Sequence, residues 1–429
     1  MRYPWPPEVL SVLQRLESAG YEAYLVGGCV RDALLGRAVH DFDVATNAHP
    51  DAVLAAFPRV VPTGLRHGTL TVWAGEMPVE VTTYRSESTY TDGRHPDAVA
   101  FVDSLPMDLA RRDFTINAMA MDLRGCVVDC HGGRRDLERR LIRAVGEPKR
   151  RFAEDGLRIL RALRFAAQLT FAIEPRTWEG MQAEAGRLVH VSAERLGVEF
   201  SKMAAANWAA ICDALAESRI WDYLPRPVQR LRQSWPSLRR TAAALVQCYP
   251  QEVPEADRAS EMMALWCLCA GCDEAAARHV CRAIRWSNAR MRLAVDFLRL
   301  LRSDVRQWDL LTWREQLLQH GAHRVLRACL LQDVLKDDEQ PGTARSDVCR
   351  QYIASQPIWS ARELQCSGHD LLALGVRGQR LGEIKTALLR QVLMGRLANR
   401  RDVLREAAKK LTEGRREDGD GQHPHDRDG

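Results

Sequence analysis

Two neighbouring stretches, LVGGCVRD (residues 25–32) and HDFDVAT (residues 40–46), constrain the fold more than any other part of the chain. The first is an apolar run that stops at Gly27-Gly28 and continues as a short helical pattern. That is a strand turning into a helix through glycine, which lets backbone approach an anion closely. The second alternates Phe42 and Val44 with Asp41 and Asp43, so a strand here puts both carboxylates on one face. Like charges held this close make at least one of them harder to ionise. A divalent cation relieves that cost, and Mg²⁺ favours carboxylate oxygens shared with substrate phosphates. A DxD pair alone is an ordinary surface strand edge. A GG turn, then Arg31, then DxD, in that order, points to phosphate chemistry. PVEVTTYR (78–85) supplies a third carboxylate, Glu80, on a strand able to lie beside the first. Three acids around two metals suit in-line nucleotidyl transfer.

The chain has 429 residues, too many for one compact core. Hydrophobic residues make up 46% and charged residues 27%, the composition of a globular protein. No apolar run reaches the ~18 residues that span a bilayer, and MRYPWPPEVL is no secretory leader. A cytoplasmic protein without membrane contact is expected, with its 12 scattered cysteines reduced. The net charge is only +5, but arginine clusters in RRDFT, RRDLERRLIR and PKRRF favour a phosphate-rich partner.

Period and punctuation predict a helix over 9–20 and strands at YEAYLV and HDFDVAT. Helices are predicted at CVRDALLG and DAVLAAF, and strands at GTLTVWA and PVEVTTYR. From about residue 135 onward the pattern is helical, including LERRLIRAV, GLRILRALRFAAQL and AERLGVEFSKMAAA. Breaks are predicted near residues 225, 250 and 340. The tail EGRREDGDGQHPHDRDG is nearly without apolar residues and is expected to be disordered.

G-G-x-V-R-D followed by D-F-D-V-A-T resembles the catalytic head of the class II tRNA nucleotidyltransferases and poly(A) polymerases, a branch of the DNA polymerase β-like superfamily. RRDFTINAMA (111–120) resembles the segment joining head to neck in that family. EDGLRILRALRF (154–165) resembles its nucleotide-selecting helix, and SAERLGVEFSKM (192–203) its next neck motif. Later matches are GHDLLALG and LGEIKTALLRQVLMGRL. The resemblance implies an α+β protein: a mixed α/β nucleotidyltransferase head over 1–138, a helical neck over 139–205, a helical, tRNA-binding body and tail over 206–412, and a disordered tail over 413–429. It implies template-independent addition of C, C and A to tRNA 3′ ends from CTP and ATP, with Mg²⁺ as cofactor. Asp41, Asp43 and Glu80 are then catalytic, with Asp41 and Asp43 on the metal. Gly28, Arg31, Arg112, Asp155, Arg158, Arg161 and Arg164 are then nucleotide-binding. A homodimer is also implied.

The chemistry of EDGLRILRALRF agrees. Asp155, Arg158, Arg161 and Arg164 recur every three residues, a stripe of ~120° on a helix, with Ile159, Leu160 and Leu163 opposite. Cytosine and adenine each show an amine donor beside a ring-nitrogen acceptor. A carboxylate accepts from the amine and an arginine donates to the ring nitrogen. Uracil and guanine reverse that pattern and leave groups unpaired. The competing roles are a poly(A) polymerase, an enzyme adding only CC or only A, and a non-catalytic RNA-binding relative. LRHGTLTVW (65–73) favours the tRNA enzyme. STYTDGRHPDA (88–98) resembles the loop used for the final A. The retained acids argue against an inactive scaffold. Cys267, Cys269, Cys272, His279 and Cys281 read as helix and core, not as zinc ligands. Trp266 and Trp286 read as core, and His369-Asp370 has no partner motif.

Overall fold

The computed structural model describes residues 3, 5–65, 68–87, 99–248, 253–335, 344–355 and 361–413. The expected loop at 88–98, part of the 65–73 stretch and nearly all of the expected disordered tail lie outside these residues. The chain forms two compact units, residues 1–246 with 251–298, and residues 247–250 with 299–429.

The first unit opens with α1 (Pro7–Ser18), β1 (Ala23–Val26), α2 (Gly28–Leu34), β2 (Asp43–Thr46) and α3 (Pro50–Ala56). It continues with β3 (Val60–Gly64), β4 (Thr69–Ala74), β5 (Met77–Thr83), β6 (Arg85–Glu87), β7 (Val99–Phe101), α4 (Leu105–Ala110), β8 (Met119–Met121) and β9 (Val127–Asp129). Seven strands make one sheet in the order β3-β4-β5-β2-β1-β8-β9. β2 and β5 run parallel, with Asp43 opposite Glu80, and the other neighbours are antiparallel. One face carries Leu25, Val44, Val72 and Val81, all at most 1% exposed, beneath the apolar side of α1. Each such burial stabilises by roughly 1.5–3 kcal/mol. Phe42 and Val44 are buried as their alternation predicts, with Asp41 exposed and Asp43 half-buried. The opposite face holds Val26, Ala45, Tyr84 and Ala120 under Leu105 and Leu109 of α4.

Helices follow: α5 (Gly133–Glu138), α6 (Pro148–Glu154), α7 (Leu157–Leu169), α8 (Pro175–Ala183) and α9 (Ala193–Ala204). LERRLIRAV is not the continuous helix its composition predicts. The helix stops at Glu138, Arg140 takes a left-handed φ of 54°, and Leu141–Ile142 form a strand, β10. This strand pairs in parallel with β11 (Ala172–Ile173). Ile142 and Ala144 are buried with Arg143 between them half-exposed, a period of two. α7 packs on α9, and α9 in turn meets the segment 284–286. A Cβ on Gly197 of α9 would collide with the carbonyl oxygen of Ile284, and Trp286 Nε1 donates to the Gly197 carbonyl at 3.1 Å.

The cysteines at 267, 272 and 281 are buried, and burial pushes the Cys281 thiol up to about 12. Trp266 is fully buried and Trp286 nearly so, with 0% and 8% exposed. In the second unit Leu371, Val376, Ile384, Leu388 and Leu404 form the core. The His369-Asp370 dipeptide is a helix start. Asp370 closes a capping box with Ser367 and accepts from Arg401 at 2.7 Å. Among the described residues no helix is long and apolar enough to cross a membrane.

Gly197→Ala is expected to destabilise the first unit by about 2–4 kcal/mol, because backbone has to move. Thermal denaturation checks this, and an unchanged midpoint contradicts the packing.

Candidate active site

A cavity of about 790 Å³ lies within the first unit, lined among the described residues by seven arginines and five aspartates. Its floor is the Gly27-Gly28 turn at the end of β1. Gly27 sits at φ 77°, ψ −131°, conformational space that suits glycine. A Cβ there would stand 3.0 Å from Arg112 NH1 and 3.6 Å from Asp43 Oδ2. The turn therefore brings backbone next to a cation and a carboxylate at once. Arg31, one turn into α2, is 8% exposed. It donates to Asp32 at 2.7 and 3.0 Å and to Asn117 Oδ1 at 2.7 Å.

Asp41 and Asp43 both line the cavity. Burial pushes the Asp43 carboxyl up to about 6; Arg112 opposes this, and Glu80 and Asp41 add to it. Among the described residues no side chain or amide donates a hydrogen bond to the Asp43 carboxylate. It is a desolvated acid beside a second acid, the environment that a cation stabilises. Glu80 lies beside Asp43 in the ladder, but its side chain is exposed and not part of the cavity lining. Among the described residues no three acids, histidines or thiols converge as a metal cage. Two carboxylates are nevertheless the usual protein share of a magnesium site completed by substrate phosphates.

Residues of the α6–α7 segment and α9 form the other wall, and they depart from the expected arginine helix. Asp155 is not on the arginine helix. It is extended, at φ −146°, between α6 and α7. It starts the helix from outside, its carbonyl accepting from Arg158 N at 3.1 Å, while at the next position, Gly156, a Cβ would lie 2.7 Å from the Arg187 backbone. Asp155 Oδ1 accepts from Leu157 N at 3.0 Å, and Oδ2 accepts from Arg195 at 2.7 Å. Arg158 lines the cavity and is buried. Glu154 accepts from it at 2.6 Å, and the carbonyls of Arg151 and Arg111 at 3.0 and 3.1 Å. Arg161 also lines the cavity and is clamped by Asp113 at 2.6 and 2.7 Å. Arg164 does not line it. It is 6% exposed and donates to Glu199 and Gln168. The stripe thus divides into cavity residues and a buried brace. Phe165 sits among Arg31, Arg161 and Arg164, whose guanidinium carbons lie 5.1, 5.2 and 4.0 Å from its ring centre.

Arg112 lines the cavity and leans on Asp108 at 3.2 Å. Asp108, 1% exposed, also holds Arg111 at 2.7 Å. Four groups that the sequence reading did not single out complete the site: Glu154, Arg195, Asp113 and Asn117. All four fall inside the quoted motifs, so their positions were visible but their pairings were not. Burial pushes the Asp113 carboxyl up, but Arg161 and the Asn117 amide outweigh it and hold it at about 2.

A glycine turn at a helix start, a carboxylate pair and an arginine wall line one cavity, the arrangement expected of a nucleotidyltransferase. Residues 23–143 match the model of the poly A polymerase head domain. Residues 170–228 match that of an RNA- and SrmB-binding site of polymerase A, and residues 255–408 that of tRNA nucleotidyltransferase domain 2. The chain is 36% identical over 408 residues to the CCA-adding enzyme of Limosilactobacillus fermentum, covering 93% of this chain and 96% of that one. It is 38% identical over 401 residues to the CCA-adding enzyme of Levilactobacillus brevis, covering 92% and 95%. Its structure resembles that of the Bacillus stearothermophilus CCA-adding enzyme in complex with CTP, with a TM-score of 0.69 and 33% identity over 96% of this chain and all of that one. The chain belongs to the CCA-adding enzyme family of tRNA nucleotidyltransferases.

Asp43 yields a pH test. Its folded-state pKa lies near 6, above the ordinary 3.8, so ionising it costs stability. That cost is absent below the ordinary value and complete above about pH 6. In chelator, the melting temperature of Asp43→Asn should gain on wild type as pH rises from 4 to 7. A difference independent of pH contradicts this placement.

Proposed function

We propose that this chain adds C, C and A to the 3′ end of tRNA from CTP and ATP without a nucleic-acid template, releasing pyrophosphate at each step. The observation that carries the reading is the single cavity in which the DxD carboxylates of the head face the Asp155–Arg158 edge of the neck. The tRNA 3′ hydroxyl attacks the α-phosphate of the nucleotide, and pyrophosphate leaves. Asp41 and Asp43 would hold Mg²⁺, which supplies charge neutralisation at the phosphates and acidifies the attacking hydroxyl. Glu80, next to Asp43, adds negative potential that favours cation binding. Gly28 lets the triphosphate approach the backbone, while Arg31 and Arg112 take phosphate charge. Arg161 serves sugar or phosphate, and Arg164 acts behind the wall through Glu199.

Asp155 and Arg158 read the base. Two of the Asp155 lone pairs are engaged by Leu157 N and Arg195, which fixes the carboxylate and leaves capacity for an exocyclic amine. Glu154 and two carbonyls fix the plane of Arg158. C and A satisfy this pair, whereas U and G set like groups against it. The helical body and tail bind tRNA by shape and phosphate. We place the protein in the cytoplasm as a homodimer, which sedimentation analysis checks.

Incubation with tRNA lacking its last three nucleotides tests the reading. CTP alone should add two residues, ATP alone essentially none, and both together CCA. Long A tracts would identify a poly(A) polymerase. A product stopping at CC, or addition to tRNA-CC alone, would identify a partial enzyme. Asp43→Ala should lower turnover by at least about a thousandfold with tRNA affinity kept, because the rate enhancement rests on the metal. Retained turnover at saturating Mg²⁺ contradicts the assignment.

A further inference from the structure

Arg31 from the head and Asp113 beneath the neck both line the cavity with opposite charges, yet they do not pair. Asn117 stands between them. Its Oδ1 accepts from Arg31 NH1 at 2.7 Å, and its Nδ2 donates to Asp113 Oδ1 at 3.1 Å. The side chain belongs to a residue only 6% exposed, at the end of the turn Thr115–Asn117, whose backbone N–H donates to the Phe114 carbonyl at 2.9 Å. Asp113 Oδ1 also accepts from its neighbour Phe114 N at 2.8 Å, and Oδ2 accepts from Arg161. Arg31 turns its other nitrogens to Asp32.

An amide can accept from a cation at one end and donate to an anion at the other while carrying no charge itself. We propose, on the reading that this cavity binds nucleoside triphosphates, that Asn117 is a positioning residue for nucleotide addition. It keeps Asp113 from adding a second carboxylate to the one, Asp32, that already pairs with Arg31, so that Arg31 retains attraction for phosphate. The head arginine and the neck arginine are thereby held in one frame through a neutral spacer. A carboxylate at this position would capture Arg31 as an ion pair and repel Asp113. A small apolar residue would let Arg31 and Asp113 drift together.

The test uses the full chain with Asn117→Asp and Asn117→Ala, alone and combined with Arg31→Ala. Calorimetry reads binding of CTP and of inorganic pyrophosphate, steady-state assays read KM and kcat, and melting temperature reads folding. Asn117→Asp should weaken both CTP and pyrophosphate roughly ten- to a hundredfold, the worth of a charge-assisted contact. KM should rise for CTP and ATP alike, with kcat changed less. In the Arg31→Ala background, Asn117→Ala should add little further loss, because both act through the same guanidinium. Unchanged pyrophosphate binding in Asn117→Asp, or losses that multiply with those of Arg31→Ala, overturns the proposal. If Asn117→Asp fails to fold, Asn117→Ala and the double-variant comparison decide alone. Wild type that binds CTP and extends tRNA while the variants match it overturns this proposal only. Wild type that binds neither CTP nor pyrophosphate overturns the nucleotide reading with it.

Discussion

The ion pair between the buried Asp113 and the partly exposed Arg161 is the constraint on which the site depends. Asp113 is 7% exposed and meets the guanidinium at two points, 2.6 and 2.7 Å apart. Removing Arg161 leaves a desolvated carboxylate at Asp113, a loss of up to about 3 kcal/mol because the guanidinium side of the pair is open to solvent. The pair is also where the sheet domain and the helical neck meet. Asp113 follows Arg112, which approaches Gly27, and Arg161 belongs to the helix whose start presents Arg158. Through Asn117 on one side and Glu199 on the other, the same chain of contacts runs from Arg31 to Arg164. Arg31 of the sheet domain and Arg161 and Arg164 of α7 are therefore held in one continuous polar core.

That core explains why so much arginine can be buried. Every deeply placed guanidinium in this wall has a carboxylate within reach: Asp32 for Arg31, Glu154 for Arg158 and Glu199 for Arg164. Desolvation of a charge is tolerated only when it is paired and hydrogen-bonded. Asp43 is the exception. Burial raises it, Glu80 and Asp41 add to that, and the opposing charge of Arg112 does not offset them. This poorly compensated charge stands at the position we propose for a cation.

The strand pattern of the head was legible because alternation and glycine punctuate it: YEAYLVGG, HDFDVAT, GTLTVWA and PVEVTTYR all correspond to strands. The DxD pair and the glycine turn were legible for the same reason. The two- and three-residue strands at 119–121, 127–129, 141–142 and 172–173 were not, because so short a run carries no period. The arginine stripe showed its spacing and hid its partners. Helical geometry put Asp155 on the helix, but its side chain and carbonyl instead accept from the first amides of α7, which places it just outside. Arg164 has the same spacing as Arg161, and sequence alone could not tell a cavity wall from a brace. Asn117 looked like one letter in RRDFTINAMA; its role depends on what stands at each end of its amide.

The central claim is that protein side chains, in place of a template strand, choose the incoming base. The direct measurement is kcat/KM for CTP, ATP, UTP and GTP in Asp155→Ala and Arg158→Ala, with Arg164→Ala for comparison. Each of the first two loses one charge-assisted hydrogen bond to the base edge. Discrimination against UTP and GTP should fall roughly ten- to a hundredfold, while Arg164→Ala slows all four nucleotides alike. If Asp155→Ala keeps its preference for C and A and only loses rate, then Asp155 merely anchors Arg195 and the base is read elsewhere.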